Sequence, residues 1–322
     1  MITASNLSKH YLINRNKASM TGFLKSFIRP NKEIVGAVKN LDFEIKTGAI
    51  CGIVGLNGAG KSTLIKMLTG VIKASEGDCQ VMGYRPFDDR QEYVQNIGVV
   101  FGQRSQMIWD LPVRNSLDIL RPIYRVEAAA FKQNLDYYTS IFGVDEFIDQ
   151  PVRLLSLGQR MRAEIVSALL HDPKVLFLDE PTIGLDVLVK KKIRHAIADM
   201  NKTKGTTVIL TSHDLEDIDT LCDQLIVLDK GQVLFDGKKS DFVQQYRSHK
   251  TVVIKLADNA TSEHALLVQH QAKLTGDQQW TLAINEAETS ATDVIKQLVN
   301  ALPVIDLTIH EQKLEDILQS IY

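Results

Sequence analysis

Cysteine is scarce: the 322 residues hold three, Cys51, Cys79 and Cys222, and no two of them form a CxxC or a Cys/His metal spacing. That excludes a disulfide scaffold and a zinc ribbon, and leaves three reduced thiols of an intracellular protein as the expected reading. Long apolar runs are missing too. None approaches the roughly 20 residues that a membrane-spanning helix needs, and the opening Met1-Ile2-Thr3-Ala4-Ser5 lacks the charged and apolar regions of a signal peptide. A soluble cytoplasmic chain is therefore expected. Charge of one sign is not in excess either. With 37 Lys and Arg against 39 Asp and Glu, the net charge is -2, so there is no general basic footprint for nucleic acid and room only for a local patch. Internal repeats and low-complexity stretches are absent, while 44% hydrophobic and 24% charged residues supply a large core plus a smaller second unit.

What is present is a series of short apolar strands alternating with helices. Ala49 to Val54, Val175 to Leu178, Thr207 to Leu210 and Leu225 to Leu228 are apolar throughout or nearly so, as strands buried on both faces are. A helix is expected from Lys61 to Thr69, further strands at 2–11 and 38–45, and a mostly helical stretch over 104–150. This succession predicts an α/β fold with a largely parallel sheet. Beyond Gly237 the pattern changes. Helices are expected at Lys238–Tyr246, Thr292–Leu302 and Glu311–Ile321, with strands at Thr251–Leu256, Trp280–Ile284 and Ile305–Ile309. We therefore divide the chain into 1–246 and a small α+β domain, 247–322. That domain carries no phosphate loop and no metal constellation. It reads as a packing or dimer-stabilising appendage or as a ligand-sensing module.

Two segments carry chemistry. Gly55-Leu56-Asn57-Gly58-Ala59-Gly60-Lys61-Ser62-Thr63 lies between a strand and a helix, the P-loop pattern. Its glycines let backbone N–H groups turn toward phosphate oxygens, and the new helix directs its positive end at the same anion. Lys61 adds a full charge for the β- and γ-phosphates, and the Ser62 hydroxyl can ligate Mg²⁺. By itself the loop fits a GTPase, a kinase or a motor equally well. The second segment, Val175-Leu176-Phe177-Leu178-Asp179-Glu180, sets two carboxylates at the end of a buried strand, where ligands of open α/β sheets bind. In isolation an acidic strand end is often a solvated turn. Beside a P-loop, Asp179 is placed to hold Mg²⁺ and Glu180 to act as general base on the attacking water.

Further segments, in order, resemble the ABC ATPase family over about residues 1–240. Leu155-Ser156-Leu157-Gly158-Gln159-Arg160 is similar to the signature loop. Val99-Val100-Phe101-Gly102-Gln103 resembles the Q-loop, Thr182-Ile183-Gly184-Leu185-Asp186 the D-loop, and Thr211-Ser212-His213-Asp214 the loop of the switch histidine. Tyr11 sits where the family keeps an aromatic to stack on adenine. The resemblance implies a P-loop NTPase of ABC type: a RecA-like core, an antiparallel β-subdomain and a helical subdomain at about 104–160. It implies ATP and Mg²⁺ as ligands, Gln103 sensing the metal, His213 holding the γ-phosphate and the attacking water, and a head-to-tail dimer. In that dimer Ser156, Gly158 and Gln159 of one chain meet the ATP on the other's P-loop, with Asp186 at the interface. Leu157 and Ile183 depart from the family, which usually has glycine and a small polar residue there.

The compact segment between Gln103 and Ser156 has no heptads, unlike ABC ATPases that act on DNA, and no nucleic-acid partner is expected. The single ATPase domain must pair with a second copy or a homologue. The implied role is the ATPase subunit of a transporter, cytoplasmic and held at the inner face of the cell membrane by a separate integral-membrane permease. Phe101 to Gln106, Trp109 to Val113 and Ser156 to Arg162 look like bacterial ATPases paired with exporter-type permeases, and the C-terminal segment ending in Leu314-Glu315-Asp316-Ile317-Leu318 resembles exporter ATPases of the drug-resistance kind. An importer, a lipid-handling system and a regulatory or translation-associated ATPase are the alternatives. Finally, residues 14–35 form a basic insertion. Met20, Phe23, Leu24, Phe27 and Ile28 share one helical face, with Lys17, Lys25 and Arg29 beside it and Pro30 ending it. Such a helix can pack on its own domain, dock on the permease or lie on an anionic membrane surface.

Overall fold

The computed structural model describes residues 1–14, 32–102, 105–246, 250–257, 265–276, 278–285 and 289–321. Most of the amphipathic insertion, and Gln103 itself, lie outside the described residues. The chain divides into two compact units, Met1–Lys239 and Ser240–Tyr322.

In the first unit the strands are β1 (Ile2–Asn14), β2 (Lys32–Ile45), β3 (Ile50–Gly55), β4 (Glu76–Val81), β5 (Ile97–Phe101), β6 (Val175–Asp179), β7 (Thr207–Thr211), β8 (Gln224–Asp229) and β9 (Gln232–Lys238). Its helices are α1 (Lys61–Leu68), α2 (Arg90–Tyr93), α3 (Val113–Ile123), α4 (Ala128–Ile141), α5 (Leu157–Leu169), α6 (Val187–Lys204) and α7 (Leu215–Leu221). The central sheet has the order β5-β6-β7-β3-β8-β9. Its first five strands run parallel and β9 closes the edge antiparallel. A second sheet, β2-β1-β4, is antiparallel. Leu64, Ile65, Met67 and Leu68 of α1 share one core with Ile2, Leu41 and Ile45 of that sheet and with Phe177 and Ile209 of the central one. The P-loop helix is thus clamped between two sheets.

Strands β1 and β2 both exceed their sequence-predicted spans. Tyr11 pairs with Val35 and Leu12 with Ile34, so the hairpin continues past the β4 partner with Leu12 and Ile34 exposed. Cross-strand pairing, not alternation of burial, extends it, and that is why the pattern of residues understated its length. Among its described residues, the stretch expected to be mostly helical holds two helices, α3 and α4. Around them, the loops are tied by backbone hydrogen bonds such as Val152 N to Leu111 O, 3.0 Å, and Arg153 N to Trp109 O, 3.0 Å. Helix α4 starts where the Glu127 carboxylate accepts from the Ala129 and Ala130 amides, an N-cap. Helix α6 stops at Gly205, whose φ of 69° a residue with a side chain rarely adopts.

The second unit contains α8 (Lys239–Tyr246), β10 (Lys250–Leu256), α9 (Ala265–Gln269), β11 (Lys273–Gly276), β12 (Gln279–Ile284), α10 (Ala291–Ala301), β13 (Val304–Glu311) and α11 (Leu314–Ile321). Apart from its first residue, α8 falls in this unit. The β-α-β-β-α-β succession folds into an antiparallel sheet of order β11-β12-β10-β13, the split βαβ arrangement. One face buries Val252, Ile254, Leu256, Trp280, Leu282 and Ile284 against Leu267, Val294 and Leu298. The four-residue β11 is fully exposed, so no apolar periodicity marked it in the sequence.

Candidate active site

Strand β3 is flanked by β7 and β8 and buried along nearly its whole length. It delivers the chain to Gly55 at the carboxyl edge of the sheet. A Cβ on Gly55 would strike the Leu228 carbonyl, and one on Gly60, at φ 105°, would lie 2.6 Å from the Ala37 carbonyl. The glycines are therefore required by close backbone approach as well as by the turn. Gly58 and Asn57 are exposed on the loop, Thr63 is partly covered, and Ser62 faces outward from the first turn of α1. Lys61 is buried, and its Nζ donates to the Gly55 carbonyl at 2.6 Å and the Leu56 carbonyl at 3.2 Å. Burial pulls the Lys61 ammonium below the ordinary lysine range, while the nearby Glu180 and Asp179 carboxylates oppose that shift. The lysine thus ties down the carbonyls of its own loop.

Asp179 ends β6, and Thr211, fully buried at the end of β7, faces it in register. The Thr211 hydroxyl donates to Asp179 Oδ1 at 2.6 Å. The Glu180 amide donates to the Thr211 carbonyl at 3.0 Å and lies 3.2 Å from its Oγ1. Glu180 itself has φ 57°, a left-handed conformation that costs a residue with a side chain energy. That backbone turn is followed by a second anchor: His213 Nε2 is 2.7 Å from Glu180 Oε1. The three polar groups expected at the acid end, Asp179, Glu180 and His213, are thus brought together by the ends of β6 and β7. A cavity of about 500 Å³ lies beside them, lined by Ser62, Lys66, Phe101, Gly102, Asp179 and Glu180, among others.

The signature residues do not line this cavity. Ser156 caps α5: its hydroxyl accepts from the Gln159 amide at 3.2 Å, and Gln159 Oε1 accepts from the Ser156 amide at 2.8 Å. This reciprocal box commits the Gln159 side chain to the helix start. Gly158 is buried against Val189, which a Cβ would approach to 2.9 Å, and Leu157 Cδ2 lies over Gly184, 3.1 Å from where a Cβ would stand. The departure to leucine in the signature is therefore matched by glycine in the facing loop of the same chain. Asp186 accepts from the Val189 amide at 2.9 Å and caps α6. Tyr11 is exposed on β1 with Lys9 Nζ 5.5 Å from its ring centroid, and it does not line the cavity either.

A family model described as "ABC transporter" matches residues 38–183. The ABC transporter ATP-binding protein NatA of Bacillus subtilis (strain 168) is 30% identical over 217 residues, 67% of this chain and 88% of that protein. The chain belongs to the ABC transporter ATP-binding family. The methionine import ATP-binding protein MetN 3 of Shouchella clausii is 30% identical over 312 residues, 94% of this chain and 89% of that one, so that match extends into the second unit. Among solved structures, the dimeric bacterial ABC transporter cassette MJ0796 superposes with a TM-score of 0.61 at 25% identity, covering 74% of this chain and 98% of that one. The fold is that of an ABC-type P-loop ATPase, and the family binds nucleotide and hydrolyses ATP. Among the described residues no helix is long and apolar enough to cross a membrane.

Sequence reading gave no role to several groups that shape this ABC site. Thr211 is one. Asp217 is another: wholly buried in α7, it accepts from the Thr182 hydroxyl and, at 2.8 Å, from the Ser212 hydroxyl. Arg194 Nε of α6 is 3.5 Å from its other oxygen. Burial raises the Asp217 carboxyl above the usual range, against the pull of these donors and Arg194. One carboxylate thereby joins the loop after Glu180 to the residue before His213. The only signal in the sequence was hydroxyls flanking both motifs, which is too common to be read.

Proposed function

We propose that this chain powers export through a separate membrane permease, with two ATPase chains closing head to tail on ATP. The observation that carries the hydrolytic part is the Glu180–His213 pair, 2.7 Å apart, with Glu180, Asp179 and Ser62 lining one cavity. Ser62 and Asp179 are the groups that would hold Mg²⁺, with Gln103 as a third. The donor set fits, since a hydroxyl and a carboxylate fixed by Thr211 offer hard oxygens. The metal would neutralise charge on the β- and γ-phosphates. The P-loop amides and Lys61 bind the phosphates, Lys61 exchanging its loop carbonyls for phosphate oxygens. Tyr11 stacks on adenine. Glu180 takes a proton from water as the water oxygen bonds to the γ-phosphorus. The bond from that phosphorus to the β–γ bridging oxygen breaks, and ADP leaves with the electron pair. His213, now on Glu180, turns to the γ-phosphate when the nucleotide is bound. Ser156 and the amides near Gly158 of the second chain complete the site.

Export is supported by the likeness of Phe101 to Gln106, Trp109 to Val113 and Ser156 to Arg162 to exporter ATPases. The name of MetN 3 points to import and is the second reading. Peripheral attachment at the cytoplasmic face follows from the need for a permease. The 247–322 domain is proposed as an accessory module outside the phosphate site. Glu180→Gln is the direct test. It should retain ATP binding, form an ATP-dependent dimer on size exclusion, and lose about 10²–10³-fold in turnover. Tagged and trapped with ATP, it should co-purify with a polytopic membrane protein. Near-normal turnover would overturn the assignment of Glu180, and ribosomes in place of a membrane protein would overturn transport.

A further inference from the structure

Glu164 is buried on α5, about two turns beyond Ser156, with 5% of its surface exposed. No basic side chain forms an ion pair with it among the described residues. Burying a carboxylate without an ion partner is costly unless hydrogen bonds satisfy it, and here all of them come from one short segment. The Ser105 hydroxyl donates to Oε1, and the Gln106 amide reaches both oxygens at 3.2 and 3.0 Å. The Met107 amide donates to Ser105 Oγ at 3.1 Å, closing the turn that presents that hydroxyl. Gln106 Nε2 donates to the Val99 carbonyl at 2.8 Å and the Ile108 amide to Ser116 Oγ at 3.2 Å. Residues 105–108 are thus each tied down, and the carboxylate is the centre of the knot.

The near end of the same stretch abuts the acid pair. The Gly102 amide donates to the Asp179 carbonyl at 2.9 Å, and a Cβ on Gly102 would stand 2.8 Å from the Glu180 carbonyl. Gly102, against the acid pair, and Ser105, bonded to the helix that carries Ser156 and Gly158, are three positions apart in the chain. A carboxylate held by backbone N–H groups and a hydroxyl fixes position as well as filling space, because each donor has a direction.

We infer that Glu164 is a positioning residue: it fastens residues 105–107, which begin three positions after Gly102, to the signature helix, so that a displacement at the acid pair moves Ser156 and Gly158 with it. The inference rests on the head-to-tail reading above. Burial raises the Glu164 carboxyl above its ordinary range, with Ser105 and the Gln106 and Met107 amides opposing the rise. That agrees with a carboxylate kept for its bonds and not for its solvation.

The test uses the full chain with Glu164→Ala, Glu164→Asp and Ser105→Ala. Glu164→Ala should lower kcat by about 10–100-fold while the Kd for ATP stays within about threefold, because the P-loop is untouched. In a Glu180→Gln background it should shift ATP-driven dimerisation to higher ATP. Ser105→Ala should fall between Glu164→Ala and the parent, and Glu164→Asp should recover part of the loss. A kcat that falls only in proportion to the unfolded fraction, measured by urea titration, would make the residue merely structural and overturn the proposal. So would parental kcat in folded Glu164→Ala. If the parent Glu180→Gln protein fails to dimerise with ATP, the head-to-tail reading itself is what has failed.

Discussion

Thr211→Val tests whether the acid pair is held by its neighbour strand. Valine keeps the shape and β-branching of threonine, so the buried end of β7 needs no repacking. What is lost is the hydroxyl that donates to Asp179 Oδ1 at 2.6 Å and lies 3.2 Å from the Glu180 amide. The amide retains the Thr211 carbonyl at 3.0 Å, so it is not orphaned. A hydrogen bond to a charged group contributes about 1.5–3 kcal/mol. Asp179 is only partly buried and lines the cavity, so water replaces the missing donor, and the gained methyl burial offsets about 0.8 kcal/mol. Folding stability should therefore fall by less than about 1 kcal/mol. Turnover is more sensitive, because an unrestrained Asp179 lets the oxygen proposed to hold Mg²⁺ swing. We expect kcat for phosphate release to drop about 10–100-fold, the kinetic equivalent of about 1.4–2.7 kcal/mol, with little change in ATP affinity. Thr211→Ser restores the hydroxyl and should recover most of the rate. Parental turnover in Thr211→Val, or equal impairment of Thr211→Ser, would refute the argument.

Two stability predictions follow from other buried groups. His171 stacks on Tyr124 with ring centroids 3.9 Å apart, and its Nε2 lies 2.8 Å from the Ile97 carbonyl. Burial lowers its pKa from 6.5 to about 4. Between those values the unfolded chain binds the extra proton, so stability should be lost as pH falls from 6.5 toward 4, by up to about 1.4 kcal/mol per pH unit. Urea titrations across that window should show the slope, and His171→Gln should flatten it. Gly98 of β5 lies against α5, where an added Cβ would strike the Ala168 carbonyl and approach Leu176 Cδ1 to 3.0 Å. Gly98→Ala should cost about 1–3 kcal/mol or more in denaturant midpoint. An unchanged midpoint would mean that α5 moves away freely.

The P-loop and the acid pair are legible in sequence because each is contiguous. Their chemistry depends on residues a few positions apart, and a buried apolar strand before each one places it at the sheet edge. The alternation of strands and helices sets the fold class for the same reason: burial on both faces forces nearly unbroken apolar runs. Groups separated along the chain are another matter. Glu164 meets Ser105 across 59 residues, Asp217 meets Thr182 across 35 and Thr211 meets Asp179 across 32. No local rule marks a glutamate in the middle of an amphipathic helix, or a threonine closing an apolar strand, as different from its neighbours. Their roles arise when parallel strands set two ends in register and when α5 lies across β5, bringing a carboxylate to donors that the chain had left behind. Tertiary structure also decides what Leu157 meets, because only packing shows that Gly184 lies beside it.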